Sequence, residues 1–165
     1  MINVRIIASV ILIMAIVGMV FGNQIATIFT ESSKKIIGNF LVDQNSEICK
    51  ELDRPVVYIF GTSSCPHCLW EDPVIKEVAS KFTGLISFHE NIDNIDRERG
   101  VFDKYSASGY VPLVVIGCKY YRVGSGESLG KDTESRVLTA LICSLTGNEP
   151  SGVCSEVEDL INQIG

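Results

Sequence analysis

The sequence predicts an α/β fold, a central mixed sheet flanked by helices, placed after an N-terminal transmembrane helix. Three observations lead there. Short apolar runs rich in β-branched and aromatic residues, such as VVYIFG over 56–61, alternate with stretches whose apolar residues recur every three or four positions. Two further runs, LVVIG and YYRVG, flank Cys118 and Lys119 as the strands of a hairpin would. Finally, no charged residue occurs between Arg5 and Glu31.

That uncharged stretch comes first in the chain. Its most apolar part, IIASVILIMAIVGMVFG, covers 6–22; Asn23 and Gln24 interrupt it before IATIF continues to Phe29. A membrane-spanning helix needs about 20 mostly apolar residues, whereas the apolar centre of a secretory signal has about 7 to 15. Residues 1–30 are therefore read as a membrane anchor, with a signal cut near Val20-Phe21-Gly22 as the alternative. Arg5 on one side nearly balances Lys34 and Lys35 on the other. Beyond the anchor the chain carries 13 basic and 20 acidic residues. That balance argues against nucleic acid as a partner and offers no basic face to anionic lipid.

Residues 31–49 read as a linker that becomes a helix, because Ile36, Ile37, Phe40, Leu41, Ile48 and Leu52 follow a loose helical spacing. Arg54-Pro55 breaks it, and 56–61 form a buried strand. Thr62 to Ser64 supply a polar turn and cap-type residues. Pro66 stands where a first-turn proline is tolerated. The helix then runs to about Phe82, with Val74, Ile75, Val78 and Phe82 inward, and Gly84 ends it. LISFHENID is a second strand, 98–105 a short helix, and the LVVIG/YYRVG hairpin follows Gly109-Tyr110-Val111-Pro112. A helix over about 133–145 buries Val137, Leu138, Leu141, Ile142 and Leu145, and after the loop GNEPSG a last helix covers 154–164. Strands separated by helices are expected to be parallel, and the hairpin to add an antiparallel edge. Residues 50–165 thus make one domain with a C-terminal helical extension, enough chain for one core.

The motif Cys65-Pro66-His67-Cys68 follows the first buried strand and opens a helix. Pro73 lies five residues after Cys68, Pro112 precedes the third strand, and Gly124 closes the hairpin. In these features, over roughly 50–145, the chain resembles the thioredoxin-like superfamily. The resemblance implies a thioredoxin fold and thiol–disulfide exchange through Cys65 and Cys68. It also implies a cis Pro112 facing them and a Val111 backbone left open to pair with a substrate peptide. The Pro66-His67 dipeptide is similar to that of bacterial periplasmic disulfide oxidases, as is Val111 before Pro112. Those enzymes carry a large helical insertion, for which the 46 residues between Cys65 and Pro112 leave no room. Family members often bury an acid six residues before the first cysteine; this chain has Ile59 there. Glu90, Asp93, His89 or a water are the candidates to move the proton of Cys68 instead.

The chemistry asks for these residue types. The thiolate is the nucleophile of disulfide exchange. A helix N-terminus, with its unpaired N–H groups and positive dipole end, favours the anion at Cys65. A protonated His67 in the same turn adds positive charge. Cys68, one turn further in, is the resolving thiol. Stabilising the Cys65 thiolate stabilises the reduced form, which makes the disulfide a stronger oxidant than a typical thioredoxin. Trp70 either covers the disulfide or packs on the surface.

Of the remaining cysteines, Cys143 and Cys154 sit near facing ends of consecutive helices and suit a structural disulfide, with two buried thiols as the alternative. Such a bridge belongs to an oxidising compartment outside the cytoplasm. The pairing of Cys49 and Cys118 stays open. The reading is a membrane-anchored, extracytoplasmic thiol–disulfide oxidoreductase acting on cysteine-containing exported proteins, recharged by a membrane redox partner. It needs no dissociable cofactor beyond its redox-active Cys65–Cys68 pair and no metal. Oxidase or isomerase direction follows from the CPHC dipeptide; the short domain resembles tethered reductases. Two alternatives are a copper or other soft-metal carrier using the two thiolates and His67, and a non-catalytic binding module of the same fold.

Overall fold

The computed structural model describes residues 34–164; the expected anchor, 1–30, lies outside the described residues. Among the described residues, no helix is long and apolar enough to cross a membrane.

The centre of the sheet is the run whose residues are almost all buried. After β1 (Leu41–Val42) and β2 (Lys50–Glu51), β3 (Arg54–Gly61) buries every residue but its first. Alternation sends Val57 and Ile59 to one face and Val56, Tyr58 and Phe60 to the other. Helix α1 (Pro66–Ser80) then crosses back, so that β4 (Ser87–Ile92) pairs parallel to β3. Helix α2 (Arg99–Tyr105) follows, then β5 (Leu113–Ile116), β6 (Tyr120–Val123) and α3 (Lys131–Cys143). Two short helices, α4 (Ser151–Cys154) and α5 (Glu158–Ile161), end the chain. The six-stranded sheet runs β1-β6-β5-β3, with β4 and β2 both paired to β3; all pairs except β3–β4 are antiparallel.

Apolar layers cover both faces, which makes the domain mixed α/β. On one face α1 and α3 pack Ile75, Val78, Leu138 and Leu141 against Val57, Ile59, Val114 and Ile116. On the other, Phe102 and Tyr105 of α2 meet Tyr58, Phe60 and Val115. The hairpin turns at Gly117 and Cys118, both at positive φ (61° and 55°).

Three expectations are corrected. Residues 31–49 hold no α-helix where they are described. Gly38 and Asn39 take φ of 61° and 62° in a 3-10 turn, and β1 then pairs with β6. A Cβ on Gly38 would stand 2.3 Å from Val137 Cγ1, so glycine lets this segment lie on α3 and sink Phe40 completely. One deep anchor and an edge pairing replaced the helical stripe. Second, β5 runs antiparallel to β3 although α2 precedes it. It enters opposite Phe60, at the end of β3 where β4 also finishes, so its direction is reversed. Third, the expected helix over 154–164 is broken by a 3-10 turn at Ser155–Val157. Its anchors Cys154 and Val157 are buried three residues apart, the repeat of a 3-10 helix.

Candidate active site

The turn after β3 carries the cysteines to a helix end. Cys65 N–H donates to Thr62 O at 3.1 Å, and Ser63 N–H donates to Asp93 Oδ1 at 2.9 Å, tying the turn to the end of β4. Cys65 is the N-cap of α1, with Pro66 at the first helical position. Its sulfur accepts the Cys68 N–H at 3.2 Å, the capping interaction usually made by an oxygen. Cys65 is half-buried; Cys68 is 1% exposed, with its side chain against Gly61. Burial first, and then the hydrogen bond with Cys65, pushes the Cys68 thiol up to about 11.

Opposite this end stands the loop before β5. The Val111–Pro112 peptide is cis, and Val111 O lies 4.0 Å from Cys65 Sγ. Gly124 N–H donates to Pro112 O at 2.7 Å, so the end of the hairpin braces the loop. Two large apolar side chains beside these elements stay exposed, Leu69 and Tyr110.

The other expected residues are placed as follows. His67 is exposed, and its Nδ1 lies 2.8 Å from Glu127 Oε2. Trp70 is half-buried and packs on the larger core cluster. Ile59 is wholly buried. Glu90 pairs with Lys76 at 2.7 Å, and Asp93 takes the Ser63 amide. His89 faces Glu51 (2.9 Å) and Glu98 (3.1 Å), with its ring edge-on to Tyr58 on the α2 side of the sheet. Cys143 bonds to Cys154, and Cys49 bonds to Cys118.

Sequence reasoning missed a group below the cysteines. Glu71, one turn after Cys68, is fully buried, as is Glu134 of α3. Arg122 of β6 reaches Glu71 Oε1 at 2.9 Å through Nη2 and holds Glu134 with two bonds at 2.8 and 2.9 Å. Gly126 N–H donates to Glu71 Oε2 at 2.8 Å. Burial raises the Glu71 carboxyl to about 7, opposed by Arg122 and reinforced by Glu134. A signal was present: Cys68, Glu71, Ile75 and Val78 share one helical stripe, and an acid in such a stripe is out of place.

No protein-family model matches the chain, and no curated protein matches it.

Proposed function

We propose that this chain is a thiol–disulfide oxidoreductase with a thioredoxin-like fold. The observation that carries the reading is the division of labour between two thiols one helical turn apart. Cys65 is half-buried at the N-terminus of a fifteen-residue helix, and Cys68 is shut behind it with its thiol held protonated up to about 11. Two thiols so unequal suit stepwise exchange.

In the oxidase or isomerase direction, a substrate thiolate attacks Cys65 Sγ of the disulfide. The Cys65–Cys68 bond breaks, Cys68 leaves with the electron pair and takes a proton, and a mixed disulfide joins Cys65 to the substrate. A second substrate thiolate attacks the substrate sulfur of that bond, forming the substrate disulfide and releasing the Cys65 thiolate. Two electrons pass from substrate to enzyme. In this reading the Val111 backbone, whose carbonyl lies 4.0 Å from Cys65 Sγ, pairs with the backbone of a bound peptide. The Cys49–Cys118 and Cys143–Cys154 bridges support an oxidising, extracytoplasmic setting. The apolar stretch over 6–22 supports a membrane tether, with exported cysteine-containing proteins as substrates and a membrane redox partner to recharge the pair.

The test is the equilibrium reduction potential of the Cys65–Cys68 pair in the full-length protein, poised with glutathione. Differential alkylation and mass spectrometry report this pair separately from the two bridges. A value near about −120 to −180 mV is expected for a disulfide donor or isomerase, and one near about −270 mV identifies a reductase. A pair that forms no disulfide at any poise overturns the reading.

A further inference from the structure

Among the described residues, Glu71 and Glu134 are the two carboxylates that the fold buries completely. One guanidinium stands between them, Arg122, itself 5% exposed. Its remaining N–H groups donate to the carbonyls of Gly124 (3.1 Å) and Gly38 (3.1 Å), and its Cζ lies 4.6 Å from the centre of the Phe40 ring. The cage is closed on the last side by backbone, since a Cβ on Gly126 would fall 1.9 Å from Glu134 Oε2. Two carboxylates against one guanidinium leave a negative charge uncompensated in the core unless the acids hold one proton between them. An uncompensated buried charge is costly. A purely structural tie between β6 and α3 needs only the Arg122–Glu134 pair, which is already bidentate. Glu71 is the surplus acid.

Glu71 is also the member that shares a helix with Cys68. Residues three apart on a helix have Cβ atoms about 5–6 Å apart, and Cys68, the residue one turn before Glu71, is equally buried. The charged groups facing Glu71 are Arg122 from β6 and Glu134 from α3, with the Gly126 amide from the loop between β6 and α3, and Cys68 lies one turn before it on the same helix. The His67–Glu127 hydrogen bond lies one turn above, at the surface.

We infer that the Glu71–Glu134 pair is a proton store for the cysteine pair, taking up a proton when the Cys65–Cys68 disulfide is reduced and releasing it when the disulfide forms. The inference rests on the oxidoreductase reading. Reduction by a substrate dithiol delivers two electrons and frees two protons. One proton goes to Cys68, and the second, freed as the exchange releases Cys65 in its thiolate form, goes to the carboxyl pair. Oxidation reverses each step. Ile59 leaves the strand under the cysteines with no acid for this purpose, and Glu90, Asp93 and His89 are engaged elsewhere.

The experiment measures the glutathione-poised reduction potential of the full-length protein between about pH 5 and 9, for wild type, Glu71→Gln and Glu134→Gln. One extra proton per two electrons makes the exchange constant change a further tenfold per pH unit, about 30 mV, over the window in which the pair titrates. Wild type is expected to show this steeper segment and Glu71→Gln to lack it. A merely structural role moves the whole curve without changing its slope, so equal slopes in wild type and Glu71→Gln overturn the proposal. A carboxyl-carbon NMR titration of wild type in both redox states decides the matter if the variants do not fold. The Glu71–Glu134 midpoints are expected to be higher in the reduced protein, and identical midpoints overturn the inference. A Cys65–Cys68 pair that does not exchange with glutathione at all is a different result: it removes the oxidoreductase reading, and the proton store with it.

Discussion

Gly61 and Cys68 lie in contact: a Cβ on Gly61 would stand 3.0 Å from the Cys68 Cβ and 3.2 Å from its sulfur, and 2.8 Å from Ile92 Cδ1. The last residue of the central strand is therefore a glycine because the second cysteine occupies the place of its side chain. Glycine inside a strand usually marks such a close approach. Gly61→Val is expected to lower unfolding stability by about 1–3 kcal/mol through overpacking, read from urea titration. It also pushes Cys68 outward, so Cys68 becomes easier to alkylate in the variant. Unchanged stability and unchanged alkylation would show that the contact does not matter.

Cys68 should be a silent thiol at ordinary pH. With its thiol pushed up to about 11, mainly by burial, its thiolate fraction at pH 8 is about one part in a thousand. Iodoacetamide added to the reduced protein at that pH is expected to label Cys65 and spare Cys68. Cys68 labelling should rise about tenfold per pH unit above it. Peptide mass spectrometry gives both rates, and equal labelling at pH 8 contradicts the assigned roles.

Glu71 gives stability a pH dependence of definite sign. Its carboxyl is raised to about 7 in the folded protein from an ordinary value of 4.5. The folded state therefore binds the extra proton, and this contribution is fully present below about pH 4.5 and lost as pH rises towards about 7, with an upper bound of about 3 kcal/mol. Glu71→Gln removes that dependence. Thermal melts are expected to show the variant gaining on wild type between pH 5 and 8, and a constant difference across that range would rule the effect out.

Arg122 carries the opposite risk. Removing it by Arg122→Met leaves two buried carboxylates without a counter-charge, at a cost of about 3–5 kcal/mol. It also frees the Phe40 ring, over which the guanidinium lies at 4.6 Å. Urea midpoints at pH 8 should fall sharply for Arg122→Met and recover in part in the Arg122→Met/Glu71→Gln double variant. Absence of any recovery would mean that the two sites are not coupled.

The two bridges differ in the loop they close, 69 residues of separation for Cys49–Cys118 and 11 for Cys143–Cys154. The chain-entropy account puts the longer at about 4 kcal/mol and the shorter at about 3 kcal/mol. Cys49→Ala/Cys118→Ala is expected to destabilise more than Cys143→Ala/Cys154→Ala in side-by-side urea titrations. The reverse order would point to packing around the shorter bridge instead.

Much of this molecule is legible along the chain, because the signals are local. The apolar run at Val56 to Phe60, the stripe Val74, Ile75, Val78 and Phe82, and the hairpin around Cys118 each declare their period within a few residues. Pro66 at the first helical position likewise announces a helix start and puts Cys65 at its mouth, where the sulfur of Cys65 caps the helix in place of the Thr62 to Ser64 hydroxyls. The elements lost to the sequence were those without a period of their own. Leu41–Val42 is a strand only because Tyr120 and Tyr121 lie beside it, and the direction of Leu113–Ile116 is set by where the chain returns to the sheet.

By itself, then, the sequence determined the identity of the strands and helices from Val56 to Cys143 and the seat of the Cys65-Pro66-His67-Cys68 motif at a helix N-terminus. The tertiary structure alone decided what lies beneath that motif. Glu71, Arg122 and Glu134 are separated by 51 and 12 positions, and Cys49 and Cys118 by 69. Whether such residues meet depends on how the sheet is ordered and which helix face is covered, and those contacts between distant segments follow no local repeat. Burial then does what no sequence pattern specifies: it strips water from an acid and a thiol one turn apart and raises both.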